Sequence, residues 1–561
     1  PMRKEHKTAY AVAGYSSRTR LPDARSIPDE HSLHLALRGK NGVWQPLNFG
    51  IGVLFAEADF RTKDPAGLTI LLDQVDLYRC PDGRIAVTAD LITEKGVLRG
   101  RAAWQTTDLV HYSLMPRDTG SFPSDMSVGT FPSAAPRERI QIGNNSPIEA
   151  SVLEITESEY DFLVKKLGEV RNVSADPIEI TLSREETEVD LPPLTARYSD
   201  GSTEEIPIDW DGDVLASIPF GRPGVYCVPG KPVVKDYGSP MIPGVADPMV
   251  RLLNGKYYLI GTNEFTDAHD LWLRCADSID ALPDGERACI FHATPSGDCS
   301  GCNWAPELHV IGGKLRCLFA ASTTGDWKHV QSRVMTCEGD PMDPASWSEA
   351  ERVLRADGTP LNPDGITLDM TYIEAAGRSY YCWASRPIDG NVYGTSDLMI
   401  APIDPQQPNR LAGEPVLLCR PTYAWDRQFA EVNEGPFALY HDGKIYLSFS
   451  GSAVSDYYCL GWLIADETAD LLDPNAWEEV GYPVLAREHV AGERGPGHNS
   501  FTKDEYGRDV IFYHAKPNGG MRSTYARTIH YAADGTPLLT LNPDRFLSPE
   551  FRPVTARITI V

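Results

Sequence analysis

The 561-residue sequence has no apolar run of the roughly 20 residues that a membrane-spanning helix needs. Its opening stretch, PMRKEHKTAYAVAGYSS, lacks the apolar core of an export signal. A basic excess is missing too: 52 Lys and Arg stand against 78 Asp and Glu, a net charge of −26, and no dense basic patch occurs. These absences exclude nucleic acid and anionic membrane as partners, because both are recognised through clustered positive charge. A disulfide framework is also lacking. The 11 cysteines are odd in number and dispersed, which reads as reduced thiols. Cys299 and Cys302 form a C-x-x-C with neither a second pair nor a suitable histidine to complete a zinc site. Together these features predict a cytoplasmic protein.

What is abundant is turn chemistry: 47 Gly and 44 Pro punctuate short runs of aromatic and aliphatic residues. Five runs share one form, a glycine, a Lys or Arg, then an apolar strand. They are LNGKYYLIGT, IGGKLRCLFAAS, AAGRSYYCWAS, HDGKIYLSFSGS and EYGRDVIFYHA. Their glycines, Gly255, Gly313, Gly377, Gly443 and Gly507, step by 58, 64, 66 and 64 residues. Each reads as a tight hairpin turn leading into a half-buried strand. Five β-rich units of nearly constant length predict a five-bladed propeller.

Eight or nine residues before each glycine stand Asp247, Trp304, Asp369, Glu434 and His498. The corresponding ends of a propeller's innermost strands converge on the central channel. Three carboxylates, an indole and an imidazole are therefore expected to meet. A carboxylate such as Glu434, at the mouth of the apolar strand FALYHDGKIYLSFS, is costly to desolvate unless it is paired or chemically useful. Two carboxyl groups, one protonated and one ionised, are what cleavage of a glycosidic bond requires, and a third nearby would raise the acid's pKa. Trp304 would stack on a sugar face, and His498 would bond a hydroxyl or an ion.

The ordered motifs ADPMVRLLNGKYYLIGT, WAPELHVIGGK, LDMTYIEAAGRSYYCWAS, VNEGPFALYHDGKIYLSFSGS and GPGHNSF, over about residues 240 to 545, resemble the successive blades of glycoside hydrolase family 43. The resemblance implies an inverting glycosidase on a five-bladed propeller, acting on an oligosaccharide. It implies Asp247 as general base, Glu434 as general acid and Asp369 as the carboxylate that tunes and orients the acid. Asp364 is a rival to Asp369 but falls outside the repeat phase. Trp304, His498, Arg522 and Asn433 are expected to bind substrate. Arg527 replaces a glutamine more usual in the family, which leaves open whether Arg522 or Arg527 points inward. No cofactor is required, and calcium or another cation would sit at the propeller centre near His498, partly through water. An inverting pair would stand roughly 6.5–9.5 Å apart. The motif variants are closest to exo-acting α-L-arabinofuranosidases. A β-xylosidase, another furanosidase such as a galactofuranosidase, or a non-catalytic sugar-binding propeller are the alternatives.

Three domains are expected: a β-rich accessory domain over 1–145, a short helix with an Ig-like β-sandwich over 146–235, and the propeller over 236–561. In TESEYDFLVKKLGEV, Thr156 and Glu159 form a capping box, and Gly168 supplies the stop. Gly83-Arg84 echoes the propeller hairpin, with Gln74 or Val75 where a catalytic carboxylate would be. Alternation along the strand is expected to turn at most one of Glu307 and His309 toward the channel, His514 to be a bonded core histidine, and Trp425 to be a sugar platform.

Overall fold

A computed structural model describes residues 9–16, 31–115, 137–143, 146–265, 270–517 and 520–561. The first eight residues, read above for an export signal, lie outside the described residues. The chain forms two compact units. One comprises residues 1–168, 240–502 and 512–525, and the other 169–239, 503–511 and 526–561.

The larger unit contains the propeller. Four consecutive antiparallel sheets follow the chain, with innermost strands Val245–Leu253, Trp304–Ile311, Gly365–Ala375 and Asn433–His441. A fifth, three-stranded sheet begins at Glu493–Lys503. The ring closes on the first blade: Val250 N–H donates to Ser500 Oγ (3.2 Å), which in turn donates to Pro248 O (2.9 Å). Ile242, just ahead of the first blade, bridges Thr524 and adds to the last one. Four hairpins carry left-handed backbone at both central turn residues: Asn254-Gly255, Gly312-Gly313, Ala376-Gly377 and Asp442-Gly443. This is the turn whose twist matches that of the paired strands.

The innermost strands of the first four blades carry the same irregularity. Pairing slips by one residue between Ala246 and Met249, Trp304 and Glu307, Leu368 and Thr371, and Glu434 and Phe437. The first bulged residue adopts positive φ: Asp247 (49°), Ala305 (46°), Asp369 (55°) and Gly435 (57°), with His498 (46°) in the fifth blade. Such bulges bend the strand and re-aim side chains, and they concentrate beside active sites. Their repetition is what turns residues of separate blades toward one axis.

The described residues up to 168 form two further sheets. One has five strands in the order Trp44–Pro46, His34–Arg38, Ala11–Tyr15, Ile148–Glu154, Arg137–Ile140. The other runs through Ile70–Arg79, Ile85–Thr93, Leu98–Thr106 and Ser113–Leu114. The second sheet repeats the blade pattern down to the bulge, with Gln74 at φ 49° and a register slip between Asp73 and Asp76. The helix Glu157–Leu167 starts at the expected capping box and buries Leu163 and Leu167 in the same core as Leu77 and Val87. The boundary expected at 145 therefore moves to 168, because Ile148–Glu154 and the helix belong to this region. Gly168 stops the helix without left-handed backbone. A side chain there would lie 2.2 Å from Val164 O.

The smaller unit holds two larger sheets and a two-stranded one, His530–Tyr531 with Pro537–Leu538. Asn172–Ala175, Leu194–Tyr198 and Thr203–Ile206 form one of the larger sheets; Ile178–Leu182, Val554–Ile560, Gly224–Pro232 and Ile208–Trp210 form the other in that order. The final strand of the chain thus completes this module rather than the propeller, correcting the expected domain end.

Candidate active site

Asp247 is the electrostatic centre of the channel end. Its Oδ1 lies 3.1 Å from Arg522 Nη1, 2.9 Å from His514 Nδ1 and 3.4 Å from His498 Nδ1. Burial alone would raise its pKa, yet Arg522, His498 and His514 hold the carboxylate well below the usual range. Arg522 is itself anchored by Glu264 Oε1 at 2.6 Å. Arg522, and not Arg527, is the arginine that bonds Asp247.

Glu434 has the opposite environment. Burial pushes its carboxyl up, the Tyr458 hydrogen bond (2.7 Å) opposes this, and the negative charge of Asp247 raises it further, to about 7. Asp369 is driven well above the ordinary range by burial and by the charges of Glu434 and Asp247. The two carboxyls titrate as one system that retains a proton near neutral pH. Asp369 Oδ2 also accepts from Gly435 N–H (3.1 Å), fixing the backbone beside Glu434. A side chain at position 435 would meet the His498 ring at 3.1 Å. Asp364 is exposed ahead of the strand, so Asp369 is the carboxyl that reaches the site.

His498 is buried, with Nδ1 3.4 Å from Asp247 and 3.8 Å from Asp369. Burial lowers its pKa, against the pull of Asp247. His514, expected as a core histidine, belongs to the site. It bonds Asp247, stacks on Tyr458 with parallel rings 5.4 Å apart, and burial pushes it down to about 4. Tyr458 thereby links the hydrogen-bonded environments of Asp247 and Glu434. No repeat phase marked Tyr458, since it enters from the loop between the second and third strands of blade four.

Three expectations are corrected. Asn433 does not face the channel: it is fully buried, with Nδ2 3.3 Å from Cys419 Sγ, because the residue before Glu434 points to the other side of its strand. Trp425 is fully buried and donates to Gly481 O (3.1 Å), so it is core rather than a sugar platform. Glu307 and His309 are two apart on a strand and therefore share a face; both are buried and 2.6 Å apart. Burial favours the neutral form of each, raising Glu307 and lowering His309 to about 3. Trp304 is half-buried against the core cluster that includes Ala320 and Leu368, one residue ahead of its blade's left-handed position.

Among the described residues, His498 is not part of a three-ligand metal cluster. The one such group, with ligand atoms within 4.8 Å of each other, is Asp270, Cys289 and His292.

A buried, oppositely tuned pair of carboxyls at the axis of a five-bladed propeller defines a glycoside hydrolase. The chain belongs to family 43 of these enzymes: the family described as Glycosyl hydrolases family 43 matches residues 237–537. The chain is 32% identical over 335 residues to an extracellular exo-α-(1→5)-L-arabinofuranosidase of Streptomyces avermitilis, covering 58% of this chain and 67% of that one. It is 34% identical over 299 residues to an enzyme of the same name from Streptomyces chartreusis, covering 52% and 86%. The crystal structure of an α-L-arabinofuranosidase from Lactobacillus brevis aligns with TM-score 0.48 at 33% identity, over 54% of this chain and 95% of that one. The two Streptomyces relatives are named extracellular, which overturns the expected cytoplasmic location. Dispersed free cysteines do not distinguish the compartments, because an exported enzyme with a large core needs no disulfides.

Proposed function

We propose that the protein is an inverting, exo-acting glycoside hydrolase that releases terminal α-L-arabinofuranosyl residues from plant-type oligosaccharides. The observation that carries this reading is the division of labour between Asp247 and Glu434. Asp247, kept ionised by Arg522 and two histidines, is suited to take a proton from water as it attacks the anomeric carbon. Glu434, kept protonated by burial and by Asp247, is suited to protonate the leaving oxygen. Asp369 is a positioning residue: it holds Gly435 N–H and shares the proton load with Glu434. Arg522 and His498 line the same end and would bond the sugar hydroxyls. The names of the Streptomyces relatives support the arabinofuranosyl specificity and the exo mode.

The test is a panel of aryl glycosides (α-L-arabinofuranoside, β-D-xyloside, β-D-galactofuranoside), with Asp247→Asn as the blank. Turnover of the arabinofuranoside, lost in the variant, is expected. Turnover confined to the xyloside would make the protein a β-xylosidase instead. Proton NMR of the first sugar formed is expected to show the β-anomer, and the α-anomer would refute inversion.

A further inference from the structure

Phe429 is the most exposed of the large apolar side chains in the described residues, at 70%, and its backbone is left-handed (φ 64°). An aromatic residue in that conformation is strained, and an exposed ring gains nothing from the core that would offset it. Its position is specific. Phe429 lies in the loop entering the strand Asn433–His441, five residues before Glu434. Tyr457, whose ring centroid is 5.8 Å from that of Phe429, lies in the loop leaving Lys444–Gly451, one residue before the tyrosine that bonds Glu434. Asn433 and Glu434 pair with Gly451 and Ser450, so both loops rise from the end of the blade that carries the proposed acid.

Both loops are held from behind. Ala453 N–H donates to Gln428 O (3.0 Å), tying one to the other. Arg487 covers Tyr457 at 5.1 Å, and Arg494 bonds Asp456 (3.1 Å). Arg427 is buried and donates to Thr69 Oγ1 (3.0 Å), Ala66 O (2.8 Å) and Pro421 O (2.9 Å). Residues 66–69 lie outside the span that matches the family. The ring of Phe429 is therefore presented on a braced loop whose anchor is supplied by the N-terminal region of this chain.

We propose that Phe429 and Tyr457 form a leaving-group subsite, which binds the second sugar of the oligosaccharide by stacking against its C–H face while the terminal residue occupies the pocket of Asp247 and Glu434. The leaving oxygen must lie at Glu434, so the sugar attached to it falls at the end of the blade where the two rings stand. Stacking of an apolar sugar face on an exposed ring supplies binding without charge, which suits a neutral ligand. This inference rests on the proposed glycosidase activity, and the test separates the two.

Turnover of α-1,5-linked arabinotriose is compared with that of α-L-arabinofuranosyl fluoride, whose leaving group is too small to reach the rings. Phe429→Ala is expected to lower the ratio of kcat/KM on the trisaccharide to that on the fluoride by about tenfold, chiefly through KM, whereas Phe429→Tyr restores it. Tyr457→Ala serves as a second variant with the same expectation, should Phe429→Ala fold poorly by thermal melting. A ratio unmoved by either alanine variant overturns the subsite while the glycosidase stands. Failure of the unmodified protein to hydrolyse either compound overturns the activity, and the subsite with it.

Discussion

Glu434 owes its proton to geometry that a single substitution can adjust. The acid must be protonated to act, so kcat/KM is expected to fall as pH rises through about 7, by about tenfold per unit well above it. On the acid side the profile should stay flat far below pH 7, because Asp247 is held ionised well below the ordinary range. The Tyr458 hydrogen bond favours the charged form of Glu434, so Tyr458→Phe should move the alkaline limb to higher pH while lowering kcat. A downward move would refute Glu434 as the titrating acid. Glu434→Gln should cost most on substrates with poor leaving groups and least on the fluoride; equal losses would contradict the assignment. At position 435 an alanine would face both the left-handed backbone, worth roughly 1–2 kcal/mol, and the His498 ring. Gly435→Ala should therefore lower the melting temperature and kcat together.

The recurring bulge explains which elements were legible in the sequence and which were blurred. The bulge residues Asp247, Ala305, Asp369 and Gly435 each precede their turn glycine by eight residues, whereas His498, and Gln74 in the N-terminal sheet, precede theirs by nine. The regular spacing of Gly-Lys and Gly-Arg turns made the blades readable, because turn chemistry is local. Counting eight or nine residues back merged two positions, so Trp304 and Glu434 shared a phase with residues one step further on. A one-residue step on a strand changes the face, which is why Asn433 was misplaced while Glu434, turned inward beside the bulge, was not. His514 and Tyr458 were missed because they come from second strands and loops, where no repeat marks a residue as axial. The loop that carries Arg427 is an element with its own test. Arg427→Ala removes a buried guanidinium bonded to Thr69, Pro421 and Ala66, and should destabilise the protein by roughly 2–3 kcal/mol in chemical denaturation. No measurable loss would mean that residues 66–69 do not brace that loop.

On the scale of the whole molecule, chain order and spatial order part company in the smaller unit. Val554–Ile560 lies between Ile178–Leu182, to which it is parallel, and Gly224–Pro232, to which it is antiparallel. Sequence alone assigned those last residues to the propeller, because a strand seven residues long carries no mark of a partner hundreds of positions away. Deleting residues 554–561 should strip hydrogen-exchange protection from Ile178–Leu182 and Gly224–Pro232, and unchanged protection there would contradict this pairing. The arrangement also sets a timetable for biosynthesis. Between residue 239 and residue 554 the ribosome must add 315 residues, which at typical speeds takes roughly 15–60 s. Throughout that interval the early module waits with two bare strand edges, the surfaces most prone to pairing with a stranger. Each nascent chain is thus exposed to misassembly until residues 554–560 emerge and fill the gap between those two edges.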